Sequence, residues 1–235
     1  MSGKFMTKEE IRIKAQKCFS AAVIGEDKSE YINFAFWLLE NKIESENIFI
    51  LAGLSKDDLY DLQRYFHRVL DDFGLKIDES KDLYFYVAYL YDMVKDGKYS
   101  PTSAVSDLYD VYYKSEGEIF GEWQNLFYQI ESLEEGFPPY HSTMTNENMN
   151  AYILRFFELW FAFYDLKLPE DFSKQAYCKK CGSRIFPTEM KRGFFKKWLL
   201  DVCPKCKSDK LAWCSDNTGK ELYLKEIGYS GEKAL

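Results

Sequence analysis

A chain of 235 residues with 46% hydrophobic and 18% aromatic content has ample material for a packed core, which excludes disorder as its overall state. Its net charge of −7 conceals a division. Residues 1–171 hold 17 basic against 31 acidic residues, a net of −14, whereas residues 172–235 hold 14 against 7, a net of +7. The expected organisation is therefore an acidic all-helical domain over 1–171 followed by a basic module over 172–235, which docks on that body or binds an outside anion.

The segment from Met1 to Cys18 carries charges every few residues and no apolar leader-like run. The longest nearly uncharged apolar stretch, Tyr31 to Leu39, is far short of the ~20 residues that span a bilayer. These features predict a soluble, cytoplasmic protein with no membrane association.

Helix start and stop signals recur through the first part of the chain. Thr7 with Glu10 forms a capping box for a helix to about Ile24, ended by Gly25. Asp27 and Glu30 open a second helix, apolar nearly all round and so expected to be central. A short helix lies around Asn47–Ala52. Ser55 then caps an amphipathic one with Leu59, Leu62, Phe66, Val69, Leu70 and Phe73 on one face, closed by Gly74. Ser80 starts a helix ending at Gly97, and Ser100 with Pro101 starts the next. A further helix spans roughly Ile119–Glu135. Pro138 and Pro139 then impose a loop before a heavily aromatic helix over Asn146–Asp165. Short loops between successive helices, with no repeat period, predict a mainly α protein: a multi-helix bundle or irregular helical stack with a small C-terminal β module.

After Phe172 the pattern turns to strands. Arg184–Met190 and Phe194–Val202 are expected to pair around Lys191, Arg192 and Gly193. A second hairpin is expected from Leu211–Ser215 and Glu221–Ile227 around the turn Asp216–Gly219.

The strongest motif lies here. Cys178 and Cys181, and Cys203 and Cys206, form two CxxC knuckles separated by 21 residues. Each knuckle turns tightly enough to aim two sulfurs at one point, and four thiolates satisfy one tetrahedral Zn²⁺ ion with no position left for water. Iron in the same four-sulfur geometry is the chemical alternative. Residues 176–215 resemble the zinc-ribbon superfamily, matching at all four cysteines, at Gly182 after the first pair and at Pro204 inside the second. The resemblance implies one structural zinc ion per chain and a β ribbon between the knuckles.

Cys214 reads as an alternative ligand or, more simply, a buried thiol, and Cys18 as core. The two histidines, His67 and His141, sit in no metal motif and beside no nucleophile with a third partner, so no catalytic residues are expected. Phosphate-loop, dinucleotide, HExxH, GxSxG and kinase signatures are absent from the sequence. Lys191, Arg192, Lys196 and Lys197 cluster with Phe194, Phe195 and Trp198, which reads either as an anion or nucleic-acid contact or as a solvated basic surface. The segment Ile48–Leu54 and the capped amphipathic helix after it resemble, in pattern and acidity, small acidic bacterial proteins of toxin-immunity or uncharacterised type. The expected function is thus a non-enzymatic, zinc-binding interaction protein whose acidic body binds a basic protein partner, of immunity or antitoxin type. The alternative is a nucleic-acid-associated regulator that uses the basic ribbon.

Overall fold

A computed structural model of the chain describes residues 6–114, 121–192 and 198–229. The chain forms two compact units, Met1–Gly117 and Glu118–Leu235.

The first unit is helical. It contains α1 (Lys8–Val23), α2 (Ser29–Glu40), α3 (Glu46–Gly53), α4 (Leu59–Asp72), α5 (Asp82–Lys95) and α6 (Pro101–Lys114). The capping box is present: Thr7 Oγ1 accepts from Glu10 N at 3.1 Å, and Thr7 N donates to Glu10 Oε2 at 2.7 Å. Ser45 Oγ caps α3 by accepting from Ile48 N. Two starts differ from the sequence reading by a few residues. Ser55 bonds Asp57 N, so α4 begins one turn later, after Asp58. Asp78, not Ser80, accepts from Ser80 N and opens a short 3₁₀ turn ahead of α5. Gly74 ends α4 at φ +58°, a left-handed backbone that only glycine adopts without cost.

The core of this unit forms where α1, α2, α3 and α4 meet. Phe19, Tyr31, Phe34 and Phe66 gather there, with the Tyr31 and Phe66 ring centroids 4.5 Å apart. On α2 the buried face is Tyr31, Phe34, Ala35 and Leu38, while Phe36 is exposed. The helix is thus central on one side only. Gln16, fully buried on α1, is satisfied by Asp78 and Asp82.

The second unit packs two helices, α7 (Gly121–Glu134) and α8 (Met149–Tyr164), with a small β region and a last helix. Trp123 of α7 is buried between Phe156 and Phe157 of α8, at centroid distances of 5.0 and 4.7 Å. Strands β1 (Ala176–Cys178), β2 (Arg184–Ile185) and β5 (Leu211–Trp213) form an antiparallel sheet in the order β2-β1-β5. Strands β3 (Thr188–Arg192) and β4 (Trp198–Val202) form a separate hairpin, with Thr188 opposite Val202 and Arg192 opposite Trp198. The expected strand Arg184–Met190 is therefore broken in two. Pro187, without an N–H to give to a ladder, stands at the break. Strand β3 runs on through Lys191 and Arg192, where the turn was expected to begin; residues 193–197, Phe194 among them, lie outside the described residues.

The expected C-terminal β-hairpin is replaced by a helix, α9 (Asn217–Glu226). Asp216 is its N-cap and accepts from Thr218 N, so the Asp-Asn-Thr-Gly run opens a helix instead of a strand turn. Gly219 permits the docking of that helix: a Cβ there would lie 1.9 Å from Trp213 O.

The sequence boundary at 171/172 falls inside the second unit, between α8 and β1. Residues 118–171 carry 2 basic against 10 acidic residues, and residues 172–235 carry 14 against 7, so the second unit is nearly neutral at −1. The module meets the preceding helices at ion pairs of both polarities, with the cation on the module in one and on α8 in the other. Lys220 Nζ lies 2.6 Å from Glu122 Oε2, and Arg155 Nε lies 2.7 Å from Glu221 Oε1. The first unit, with 15 basic against 21 acidic residues, keeps a net of −6. Among the described residues, no helix is long and apolar enough to cross a membrane.

Candidate metal centre

The strand β1 delivers Cys178 into the first knuckle and β2 leaves it; β4 delivers Cys203 into the second and β5 follows it. The two knuckles repeat one hydrogen-bond pattern. Cys178 N donates to Ser183 O and Gly182 N to Cys178 O; likewise Cys203 N donates to Ser208 O and Lys207 N to Cys203 O. Gly182 at φ +71° and Lys207 at φ +59° occupy the same left-handed position in the two turns. The second knuckle thus holds a non-glycine residue in a strained conformation.

All four Sγ atoms lie within 4.8 Å of one another, with Cys178 to Cys206 at 3.4 Å and Cys181 to Cys203 at 3.7 Å. A tetrahedron with metal–sulfur bonds of about 2.3 Å has edges of about 3.8 Å. The donor set is compatible with a single metal ion. Cys178 and Cys203 are buried, while Cys181 is exposed and Cys206 half-buried. The backbone N–H of Cys181 holds the Cys178 thiol below its ordinary value, and the backbone and side chain of Ser183 hold Cys181 down to about 6. At these two cysteines knuckle N–H groups favour the thiolate, the ligand form; at Cys206 the Ser208 N–H pulls the same way, but burial and the neighbouring sulfurs push the thiol up to about 11. Lys205 Nζ reaches across to Ser183 Oγ at 3.1 Å and ties the two turns together.

Cys214 is outside this cluster. It is fully buried among Phe163, Phe172, Tyr177 and Tyr223, and burial pushes its thiol up to about 12. Cys18 is buried in the first unit and likewise pushed up to about 12 by burial. Neither is placed for reactivity.

The basic quartet is described only in part. Lys191 is exposed on β3 and Arg192 ends that strand; Lys196 and Lys197 lie outside the described residues. Against the second knuckle the structure shows an open cavity of about 570 Å³, lined by Lys179, Lys180, Lys207 and Lys210 with Asp209, Cys206, Met190 and Ser208. The basic groups that share a concavity are therefore those of the knuckles, which the hairpin pattern alone did not single out.

The two histidines have separate settings. His67 is exposed on α4. His141 is sandwiched between Tyr140 and Trp213, each ring centroid 3.6 Å away, and its Nε2 lies 3.1 Å from Asp201 Oδ2. Burial holds its imidazole below the ordinary value, against the opposing pull of Asp201. The ring acts as a wedge between the 136–145 loop and the strands.

The residue that sequence reasoning missed is Asp216. Almost fully buried, it accepts from Tyr152 Oη at 2.8 Å and from Thr143 N at 3.0 Å while capping α9. The available signal was an Asp followed, after Asn-Thr-Gly, by Lys-Glu-Leu-Tyr-Leu-Lys-Glu, a run of good helix formers behind a capping residue.

No protein-family model, curated protein or solved structure matches this chain. The four-sulfur geometry stands on its own.

Proposed function

We propose that the four thiolates hold one structural zinc ion and that the protein is a non-enzymatic interaction protein. The convergence of Cys178, Cys181, Cys203 and Cys206 within 4.8 Å carries the first part. A Cys₄ set closes the tetrahedron and leaves no site for water or substrate, so the ion serves the fold.

The partner surface on this reading belongs to the first unit. Glu122 of α7 is already paired with Lys220 of the basic module, whereas residues 1–117 retain −6. A basic protein partner is the complement of that surface, in the manner of an immunity or antitoxin-type protein. Purified protein should contain one zinc per chain by elemental analysis and should lack the visible absorption of a four-sulfur iron centre. A metal-free but fully ordered second unit would refute the assignment.

The lysine-lined cavity at the second knuckle favours one other reading, a nucleic-acid-associated regulator. Binding of single-stranded or duplex DNA or RNA should then be tight at low salt and fall steeply with added salt. Replacing Lys179, Lys180, Lys207 and Lys210 with Ala should remove it. Submicromolar affinity at physiological salt, lost in that variant, would select this reading over the acidic-surface one; salt-insensitive or absent binding would reject it.

A further inference from the structure

A second cavity, of about 240 Å³, lies wholly within the first unit, between the end of α1, the start of α2, α5 and α6. Its walls are unusual in chemistry. Tyr86 and Tyr89 from α5 and Tyr99 from the following loop supply aromatic surface, and Asp27 and Asp107 supply two carboxylates. Leu90 and Met93 make the rest of the lining largely apolar, and none of the residues lining the cavity is basic.

The groups are anchored. Tyr99 Oη donates to Asp107 Oδ2 at 2.8 Å, and Asp27 Oδ1 accepts from Ser29 N at 3.0 Å. Gly25 lets the chain pass over Tyr86, since a Cβ there would lie 2.9 Å from Tyr86 Cε2 and 2.8 Å from Ala21 O. The Tyr86 ring therefore has little room to collapse into the space. Burial holds the Asp107 carboxyl above its usual range, and Asp110 nearby adds to the excess of negative charge.

We propose that this cavity binds an alkylammonium group, seated against the faces of Tyr86, Tyr89 and Tyr99 and neutralised by Asp27 and Asp107. Aromatic faces attract cations through their quadrupole, and the effect grows as the cation is desolvated. The carboxylates supply the net charge that a desolvated ammonium requires. A hard metal ion is a poorer occupant, because two carboxylates beside Leu90 and Met93 fall short of the six to eight oxygens that calcium requires. The space equals roughly eight water volumes at about 30 Å³ each, enough for an ammonium head and several methylenes. The proposal rests on the reading of the first unit as the partner-binding surface, and it names the group that surface takes: the side chain of a lysine on a basic partner. A free alkylamine presents the same chemistry.

The test uses the full zinc-loaded chain with ¹³C-labelled tyrosine rings, titrated with n-butylammonium, with n-butanol as its neutral isostere, and with Nα-acetyl-lysine amide. Saturable shifts at Tyr86, Tyr89 and Tyr99 are expected with both cations, at Kd values on the order of 1 mM, and none with butanol. Asp107→Asn should weaken binding about tenfold or more, because it removes one of two charges without altering shape, while Asp61→Asn on the exposed surface of α4 should leave it unchanged. Tighter binding of the lysine derivative than of butylammonium assigns the site to a protein lysine; the reverse order assigns it to a free amine. Equal responses to butanol, or undiminished affinity in Asp107→Asn, would overturn the proposal. Zinc content and the nucleic-acid titration are independent of this site, so its failure leaves the metal assignment and the choice of partner class intact.

Discussion

Cys203→Ser should abolish zinc binding and unfold the β region of the second unit, while α1 to α6 stay folded. Cys203 is fully buried and contributes both a ligand and core: the small cluster under the knuckles consists of Ala176, Cys178, Ile185 and Cys203, with Cys206, Leu211 and Trp213 against it. A cluster in which the ligands are themselves much of the apolar material is too small to stand without its ion. Structural Cys-rich sites gain about 10–16 kcal/mol of apparent binding energy, and that energy is folding energy when the apo site is not preformed. A serine hydroxyl stays protonated at neutral pH and donates no thiolate, so the loss should be nearly complete. Hydrogen exchange should then show lost protection in β1, β2, β5, the β3–β4 hairpin and α9, with the protection of α1–α5 retained. Cys214→Ser is the control: it should keep one zinc and cost only about 1–3 kcal/mol, for a buried hydroxyl without an assured partner. Retention of a full equivalent of zinc by Cys203→Ser would show that the ion sits elsewhere.

The second large effect is expected at Gly219. An added Cβ would lie 1.9 Å from Trp213 O, 2.4 Å from Trp213 C and 2.8 Å from Cys214 N. All three atoms are backbone, so no rotamer change relieves the clash; the first turn of α9 must lift off β5. That movement would draw Asp216 from Tyr152 and Thr143, and Lys220 from Glu122, leaving buried polar groups unpaired. Gly219→Ala should therefore destabilise the second unit by about 3–5 kcal/mol, although alanine favours helix over glycine by about 1 kcal/mol. Chemical denaturation followed by Trp fluorescence would read this directly, since Trp123 and Trp213 both report on the second unit. A variant as stable as the parent would mean that α9 does not dock this closely on β5.

These two positions illustrate what the sequence disclosed and what it withheld. The cysteine spacing was legible because two short turns fix the direction of four sulfurs locally, and a single ion can then collect them. The helices of the first unit were legible for the same reason: Thr7 and Gly74 act on their own turns. The failures came where distant contacts decide. The Asp216–Gly219 run is compatible with a hairpin turn or a helix start, and the choice follows from Tyr152 and Thr143, more than sixty residues away in sequence. Pro187 was visible, yet its consequence, two strands in two sheets, depends on the pairing partners β1 and β4. The change in net charge near residue 172 falls inside the second unit, between α8 and β1. The alkylammonium cavity had no local signature at all, since its walls come from four segments spread over eighty residues.

The placement of α9 also orders events during synthesis. Everything the first unit needs for its α1–α5 core has been made once residue 95 has emerged, so those helices can consolidate while translation continues. The second unit behaves differently. Lys220 of α9 is the counter-charge for Glu122 on α7 and packs its ammonium 4.4 Å from the Phe156 ring centroid on α8. Until that lysine is available, α7 and α8 expose the aromatic ridge of Phe156 and Phe163 that it covers. The contact that closes over these rings is thus made only once residue 220 exists, 98 residues after Glu122.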